Sequence, residues 1–229
     1  MMFIKNVFKL SFLVFILSYF ISCSQSYNNE SDNNSNVLGG DGDSETLVAG
    51  GIPEIESLFK EEDNICTLSV NDERFWSSQG YTLWKLLPDV PSVVENDFSV
   101  EVVKSSGVPE AGYGVVFGSY ESYHGNSMFV LLLNTNMQFS IGELQGTSFK
   151  SICPWTYKDF ITSGYDSINK VKVSYNKYRY EIYINENFAF AFTVPHSSLH
   201  LSGKNGYIVV ISPKDRLPDE TVCVKFNLL

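Results

Sequence analysis

From residue 98 to the C-terminus, apolar residues recur at every second position, and that period decides the fold class. Phe98, Val100 and Val102 alternate with Ser99 and Glu101, and Val171, Val173 and Tyr175 alternate with Lys172 and Ser174. Ile182 and Ile184 flank Tyr183, while Val222, Val224, Phe226 and Leu228 alternate with Lys225 and Asn227. Only an extended strand puts i, i+2 and i+4 on one face, so these segments predict strands with one face in a core and one in water. Turn-forming pieces separate them: Ser106-Gly107, His124-Gly125-Asn126, Asn134-Thr135-Asn136, Asn185-Glu186-Asn187 and Gly203-Lys204-Asn205-Gly206. The run Met128 to Leu133 is apolar at every position and predicts a central strand covered on both sides. No helical period of three turns follows Glu62. The expectation is an all-β, antiparallel β-sandwich of one domain, residues 65–229.

The N-terminal third has a different character. Lys5 and Lys9 precede an apolar run from Leu10 to Ile21 that is too short to span about 30 Å of hydrocarbon. This is the pattern of a signal peptide, residues 1–22. Ser22-Cys23 at its end resembles the bacterial lipoprotein signal, in which a small residue precedes an acylated cysteine. Phe20 stands where that pattern usually has Leu. The resemblance implies lipidation at Cys23, a membrane partner held through the lipid, and a cell-envelope location. Ser24, in place of the Asp that retains such proteins at the inner membrane, implies the outer membrane, on its surface or periplasmic face.

Residues 23–51 read as a polar tether. The stretch from Asn28 to Asn36 has no apolar residue, and Gly39, Gly40, Gly42, Gly50 and Gly51 follow. Such a segment cannot bury enough apolar area to offset its chain entropy. Residues 24–65 carry ten acids against Lys60 alone, a net charge of −9, whereas residues 66–229 carry sixteen acids and thirteen bases, a net of −3. An acidic leash is repelled by anionic lipid, and no basic patch is left to neutralise phosphate, so nucleic acid is excluded as a partner. Asp41-Gly42-Asp43-Ser44-Glu45 opens like a calcium loop. Thr46 stands where that loop needs Gly and Ile52 where it needs Glu. Ile55, Leu58 and Phe59, after Pro53, predict a short helical lead-in over residues 52–64.

Within the sandwich the order of motifs resembles the concanavalin A-like and laminin G-type jelly rolls. The residues that carry the likeness are Asn96-Asp97-Phe98-Ser99-Val100-Glu101-Val102, Gly112-Tyr113-Gly114-Val115-Val116-Phe117-Gly118, Asn169-Lys170-Val171-Lys172-Val173, Tyr183-Ile184-Asn185 and Gly203 to Gly206 with Tyr207. Glu186 stands where that hairpin usually has Gly. The resemblance covers roughly residues 97–229 and implies a jelly-roll fold. It also suggests that the first and last strands are neighbours, which would bring Cys66 near Cys223. Side-chain parity opposes that bridge, because Cys66 shares a face with Leu68 and Val70 while Cys223 falls opposite Val222 and Val224. Cys66, Cys153 and Cys223 therefore read as small apolar fillers.

Chemistry is sparse. Glycosidases of this fold carry Glu-x-Asp-x-x-Glu, and the nearest match, Glu61 to Cys66, ends in Cys. There is no Gly-x-Ser-x-Gly. Ser167-Ile168-Asn169-Lys170 has the Ser-x-x-Lys spacing but runs into a strand rather than a helix. His196 and His200 are four apart without a helix or further ligands, which predicts surface loop histidines and no metal. No catalytic residue and no cofactor is expected. What remains is aromatic: Tyr113, Tyr120, Tyr123, Trp155, Tyr157, Tyr165, Tyr178, Tyr180 and Tyr183. Sugars stack their CH faces on such rings. Tyr120, Tyr123, Trp155 and Tyr157, expected in loops that need no core aromatics, are the candidate ligand-binding residues. The sequence thus points to a non-catalytic binding module for glycan or for an envelope or host protein. A glycan-active enzyme with an atypical site and a structural envelope protein are the competing classes.

Overall fold

A computed structural model describes residues 55, 57–123, 125–146 and 148–229 of the chain. The described residues form thirteen strands: β1 Phe59–Glu62, β2 Ile65–Val70, β3 Tyr81–Leu87, β4 Phe98–Ser106, β5 Tyr113–Ser122, β6 Gly125–Leu133, β7 Gln138–Gln145, β8 Ser148–Tyr157, β9 Asn169–Asn176, β10 Arg179–Ile184, β11 Asn187–Thr193, β12 Lys204–Ile211 and β13 Val222–Leu228. Two short 3-10 turns, Glu73–Phe75 and Leu199–Ser202, accompany them. The strands form two antiparallel sheets. One has seven strands in the order β1-β2-β13-β4-β9-β10-β11, and the other has six in the order β3-β12-β5-β6-β7-β8. The all-β sandwich expected from the alternation is the fold observed.

The period of two is what closes the core. Val100 and Val102 of β4, Val171 and Val173 of β9, Ile182 and Ile184 of β10 and Val224 and Phe226 of β13 all point between the sheets and are buried. Facing them are Val115 and Phe117 of β5, Phe129 and Leu131 of β6 and Tyr207 and Val209 of β12. Each such side chain contributes roughly 1.5–3 kcal/mol by leaving water. Aromatic contacts knit the two layers: Tyr207 stacks on Phe226 at 4.5 Å, and Phe117, Phe129, Tyr180 and Phe192 form one cluster. The apolar run Met128–Leu133 forms most of β6, held between β5 and β7 and buried on both faces.

Two expectations change. The helical lead-in over residues 52–64 is not present at its C-terminal half: Phe59–Glu62 is an edge strand paired with β2, so the sandwich begins at 59, not 65. Ile55 and Phe59 are both buried in the core, which explains their helix-like spacing. One isolated turn is costly to nucleate, and pairing with β2 satisfies the backbone instead. Residues 203–206 are also not a turn: Lys204 already starts β12. The predicted leader, Cys23, the tether and the calcium-like stretch lie outside the described residues. The cysteine parity argument agrees with the strand pairing. β2 and β13 are neighbours, yet Cys66 opposes Phe226 and Cys223 opposes Ser69, and Cys66, Cys153 and Cys223 are free thiols. Burial pushes the Cys66 thiol up to about 11.

Candidate functional site

The four ring residues singled out in the sequence do not form one site. Tyr120 lies near the C-terminal end of β5, and Tyr123 follows in the turn to β6. Trp155 and Tyr157 lie on β8, at the edge of the six-stranded sheet. Pairing fixes their separation. Tyr120 is level with Ser127 and Gln145, whereas Tyr157 is level with Gln138, at the opposite end of β7. Seven residues of strand at about 3.3 Å each put the two groups on the order of 23 Å apart along the strand direction alone.

The expectation that these rings sit in loops holds only for Tyr123, which is 98% exposed. The other three are in strands whose period is broken by bulges, and this hides them in the sequence. On β5 an extra residue accumulates between Phe117 and Tyr120, at Gly118-Ser119. On β8 register shifts fall between the residues opposite Phe139, Ile141 and Gly142, around Pro154. The shift turns Thr156 to the same side as the buried Cys153, with 3.6 Å between Thr156 Oγ1 and Cys153 Sγ. Trp155 and Tyr157 therefore face the other way, onto the outer face of the six-stranded sheet, at 41% and 60% exposure. Phe149, at 37%, stands farther along the same strand and covers Gly142. Phe149 is absent from the sequence-based candidates because nothing local in the sequence distinguishes it from a core ring. The resulting row of Phe149, Trp155 and Tyr157 runs along an open sheet edge. A ring row of this kind can stack on the flat faces of a ligand that is itself partly polar.

Tyr120 belongs to a different arrangement. Its ring meets that of His200 edge-on, with centroids 4.7 Å apart, and Phe129 packs on the other side of the imidazole at 4.0 Å. His200 is buried, which corrects the expectation of a surface loop histidine. Its Nδ1 lies 2.6 Å from Gly118 O and so must carry the proton that is donated there, because a carbonyl only accepts. Its Nε2 lies 3.4 Å from Glu143 Oε1. Tyr180 donates its hydroxyl to His200 O at 3.0 Å. Two close backbone approaches seat this plug. Gly118 has φ +61 and Gly203 lies directly against it. The sequence signals were Ser198, whose hydroxyl caps His200 N, and the apolar neighbours Leu199 and Leu201. His196 does not join the group; its ring lies against Tyr178. Among the described residues no three His, Cys, Asp or Glu side chains are placed to hold a metal.

The acids of the broken glycosidase motif are held otherwise. Glu61 lies on β1, where its carboxylate accepts from Lys85 Nζ at 2.6 Å, and Cys66 is buried. A shallow depression of about 440 Å³ beside Ser106, Gly107, Tyr165 and Glu220 contains none of the four candidate rings.

No family model matches the chain, and no curated protein does. Solved structures do. A native glycosidic hydrolase superimposes with a TM-score of 0.50 at 8% identity, covering 74% of this chain and 80% of that one. A family 16 endo-glucanase from Bacteroides ovatus gives 0.49 at 7% identity over 74% and 83%. The carbohydrate-binding module CBM66 from Bacillus subtilis gives 0.46 at 12% identity over 64% and 80%. At such identities the likeness is one of fold, and the chain is a β-sandwich of the jelly-roll kind.

Proposed function

We propose that the chain is a cell-envelope lipoprotein whose sandwich binds glycan without acting on it chemically. The observation that carries the reading is the exposed row Phe149, Trp155 and Tyr157 on the edge strand β8. The three rings lie outside both core clusters, and each keeps more than a third of its surface in solvent. Each can instead contribute on the order of 1 kcal/mol when a pyranose face stacks on it. The jelly-roll likeness to carbohydrate-binding and glycan-cleaving proteins agrees with this at the level of fold. A binding role is preferred over hydrolysis because Glu61 is engaged by Lys85 and the last motif position is the buried Cys66.

The test is a glycan array probed with the chain from Ser24 onward, followed by titration of any retained glycan. Trp155→Ala and Tyr157→Ala should each weaken binding several-fold and lower the melting temperature far less than a core truncation would, because both rings lie outside the two core clusters. Tyr120→Ala should do the reverse, lowering stability through the loss of packing on His200 and leaving affinity intact. Full affinity in the Trp155→Ala/Tyr157→Ala double variant would refute the site.

The anchor has its own test. Cys23→Ser should abolish incorporation of labelled fatty acid and leave an unprocessed precursor, since two or three acyl chains on Cys23 are what would hold the protein stably at a membrane. Labelling of the variant at the wild-type level would remove the lipoprotein assignment while leaving the glycan test untouched.

A further inference from the structure

The six-stranded sheet is apolar on both faces. Its inner face belongs to the core. On its outer face Trp84 of β3, Ile208 of β12, Val116 of β5, Met128, Val130 and Leu132 of β6 and Leu144 of β7 form a second cluster, with exposures of 0–8%. Leu86 and Val210 pack against it. Cross-strand registry lines the cluster up in rows: Trp84–Ile208–Gly114–Leu132 and Leu86–Gly206–Val116–Val130. Gly114 and Gly206 keep the floor flat, since a Cβ on either would strike the backbone of the next strand. Among the described residues, every side chain packed into the cluster comes from the sheet itself. A single sheet face cannot remove its own outer surface from water. One polar atom points to the nature of the cover. Trp84 Nε1 is buried and has no hydrogen-bond partner among the described residues, so what lies there must bring an acceptor or leave that donor unsatisfied.

We propose that this outer face is the docking surface for the chain's own residues 47–52, Leu-Val-Ala-Gly-Gly-Ile. The point where the described chain starts carries the argument. Ile55 is buried in the core beside β1, and Glu61 of β1 is bonded to Lys85 of β3, the residue next to Trp84. The described chain therefore starts on the side of the sandwich where β1 meets the β3 edge of the six-stranded sheet. Eight residues, from 55 back to 47, reach up to about 26 Å when extended. The width from β3 to β7 is four strand spacings, roughly 19 Å. Residues 47–52 are uncharged and hold Leu47, Val48, Ala49 and Ile52. From Ser24 to Thr46 the only large apolar residues are Tyr27, Val37 and Leu38, dispersed among acids and amides. The main-chain carbonyls of such a segment supply the acceptor that Trp84 Nε1 lacks. The tether would then end at about residue 46, and the sandwich would carry a strap across the face that adjoins the Trp155 row.

The chain has three tryptophans, and Trp76 and Trp155 are the exposed ones. In residues 23–229 carrying Trp76→Phe and Trp155→Phe, Trp84 is the sole reporter. Its emission should be blue-shifted and poorly quenched by acrylamide. Leu47→Ser/Val48→Ser should raise the quenching several-fold, shift the emission to the red and lower the melting temperature, with the circular dichroism still that of a β-sandwich. Val37→Ser/Leu38→Ser should change none of these. Unaltered quenching in Leu47→Ser/Val48→Ser overturns the proposal, as does an equal response to both double variants. Shielding that depends on protein concentration rather than on either pair would assign the face to a second copy of the chain and overturn it as well. Glycan affinity, measured with Trp155 intact, is read separately, so failure here leaves the binding reading standing.

Discussion

Gly203→Ala should cost more than about 4 kcal/mol, a large share of the roughly 5–15 kcal/mol that holds an ordinary domain folded. The residue needs no special backbone angle, for its φ is −78. What it needs is the absence of a side chain. A Cβ at 203 would lie 2.6 Å from both Gly118 O and Ser119 N and press on the carbonyl carbon of Gly118. All three are main-chain atoms of β5, in the middle of its bulge, so no side-chain rotation relieves the overlap. Moving the 199–202 turn away instead would break the hydrogen bond from His200 Nδ1 to Gly118 O and strip Tyr180 of its acceptor. It would also open the aromatic cluster of Phe117, Phe129 and Tyr180, and buried polar groups left without partners add roughly 1–3 kcal/mol apiece. Gly164→Ala is the informative control. Gly164 has φ +87 but open space around it, with nothing nearer than 3.9 Å. Only backbone strain should count there, about 1 kcal/mol. Urea midpoints for the two variants separate the mechanisms. A Gly203→Ala protein within the same range as Gly164→Ala would show that the turn is not seated as described.

The contrast between these glycines shows what a sequence can and cannot disclose about this fold. Alternation is a local signal, and wherever the strand is straight it suffices: β4, β9, β10 and β13 carry their apolar residues inward as expected, and Met128 to Leu133 forms a central strand. The same parity keeps Cys66 and Cys223 apart although their strands are neighbours. Bulges break the signal. The extra residue at Gly118-Ser119 and the shifts around Pro154 make strand ends look like loops, so the loop argument for Tyr120, Trp155 and Tyr157 fails. Two of them, Trp155 and Tyr157, are nonetheless solvent-exposed rings. β1 is four residues long with three charges, too short for any period to emerge. The burial of His200 depends on Gly118, 82 positions away, and no local pattern reports a contact of that range. Phe149 likewise owes its exposure to an edge position that only the sheet order reveals.

Stability should rise, not fall, as the pH is taken from 7 to 9, and one lysine should account for it. Lys104 continues the inward parity of Val100 and Val102, so its side chain enters the sandwich and is fully buried. Its ammonium donates to Val108 O at 2.6 Å and Ala111 O at 3.0 Å, pinning the β4–β5 connection. Burial lowers its pKa from 10.5 to about 8, an effect only partly offset by the negative charges of Asp215 and Glu110. Below pH 8 both folded and unfolded chains hold the proton, and the folded state bears the whole cost of a buried charge, up to about 3 kcal/mol. Between about 8 and 10.5 the unfolded chain holds more protons than the folded one, so the free energy of unfolding increases with pH. From pH 7 to 9 the gain is about 1 kcal/mol. As pH 9 is approached the trend is increasingly opposed: the Cys66 thiol, raised from 9.0 to about 11, and the Cys223 thiol, also raised by burial, ionise more readily in the unfolded chain. The phenol of Tyr113, raised to about 12, and the likewise raised Tyr180 and Tyr207 add to that loss above about 10. The difference between the wild type and a variant without this lysine therefore isolates Lys104, because the thiols act equally in both. Denaturant midpoints at pH 7, 8 and 9 should climb in the wild type, whereas in Lys104→Met they should stay level to pH 8 and dip towards 9 as the thiols begin to ionise in the unfolded chain. That variant should be about as stable as the wild type at pH 7: a charge no longer has to be desolvated and Val108 O keeps its bond from Ala111 N, which offsets the loss of the donor to Ala111 O. A wild-type curve that is flat or falling between pH 7 and 9, or a Lys104→Met curve that climbs in parallel with it, would place the proton elsewhere.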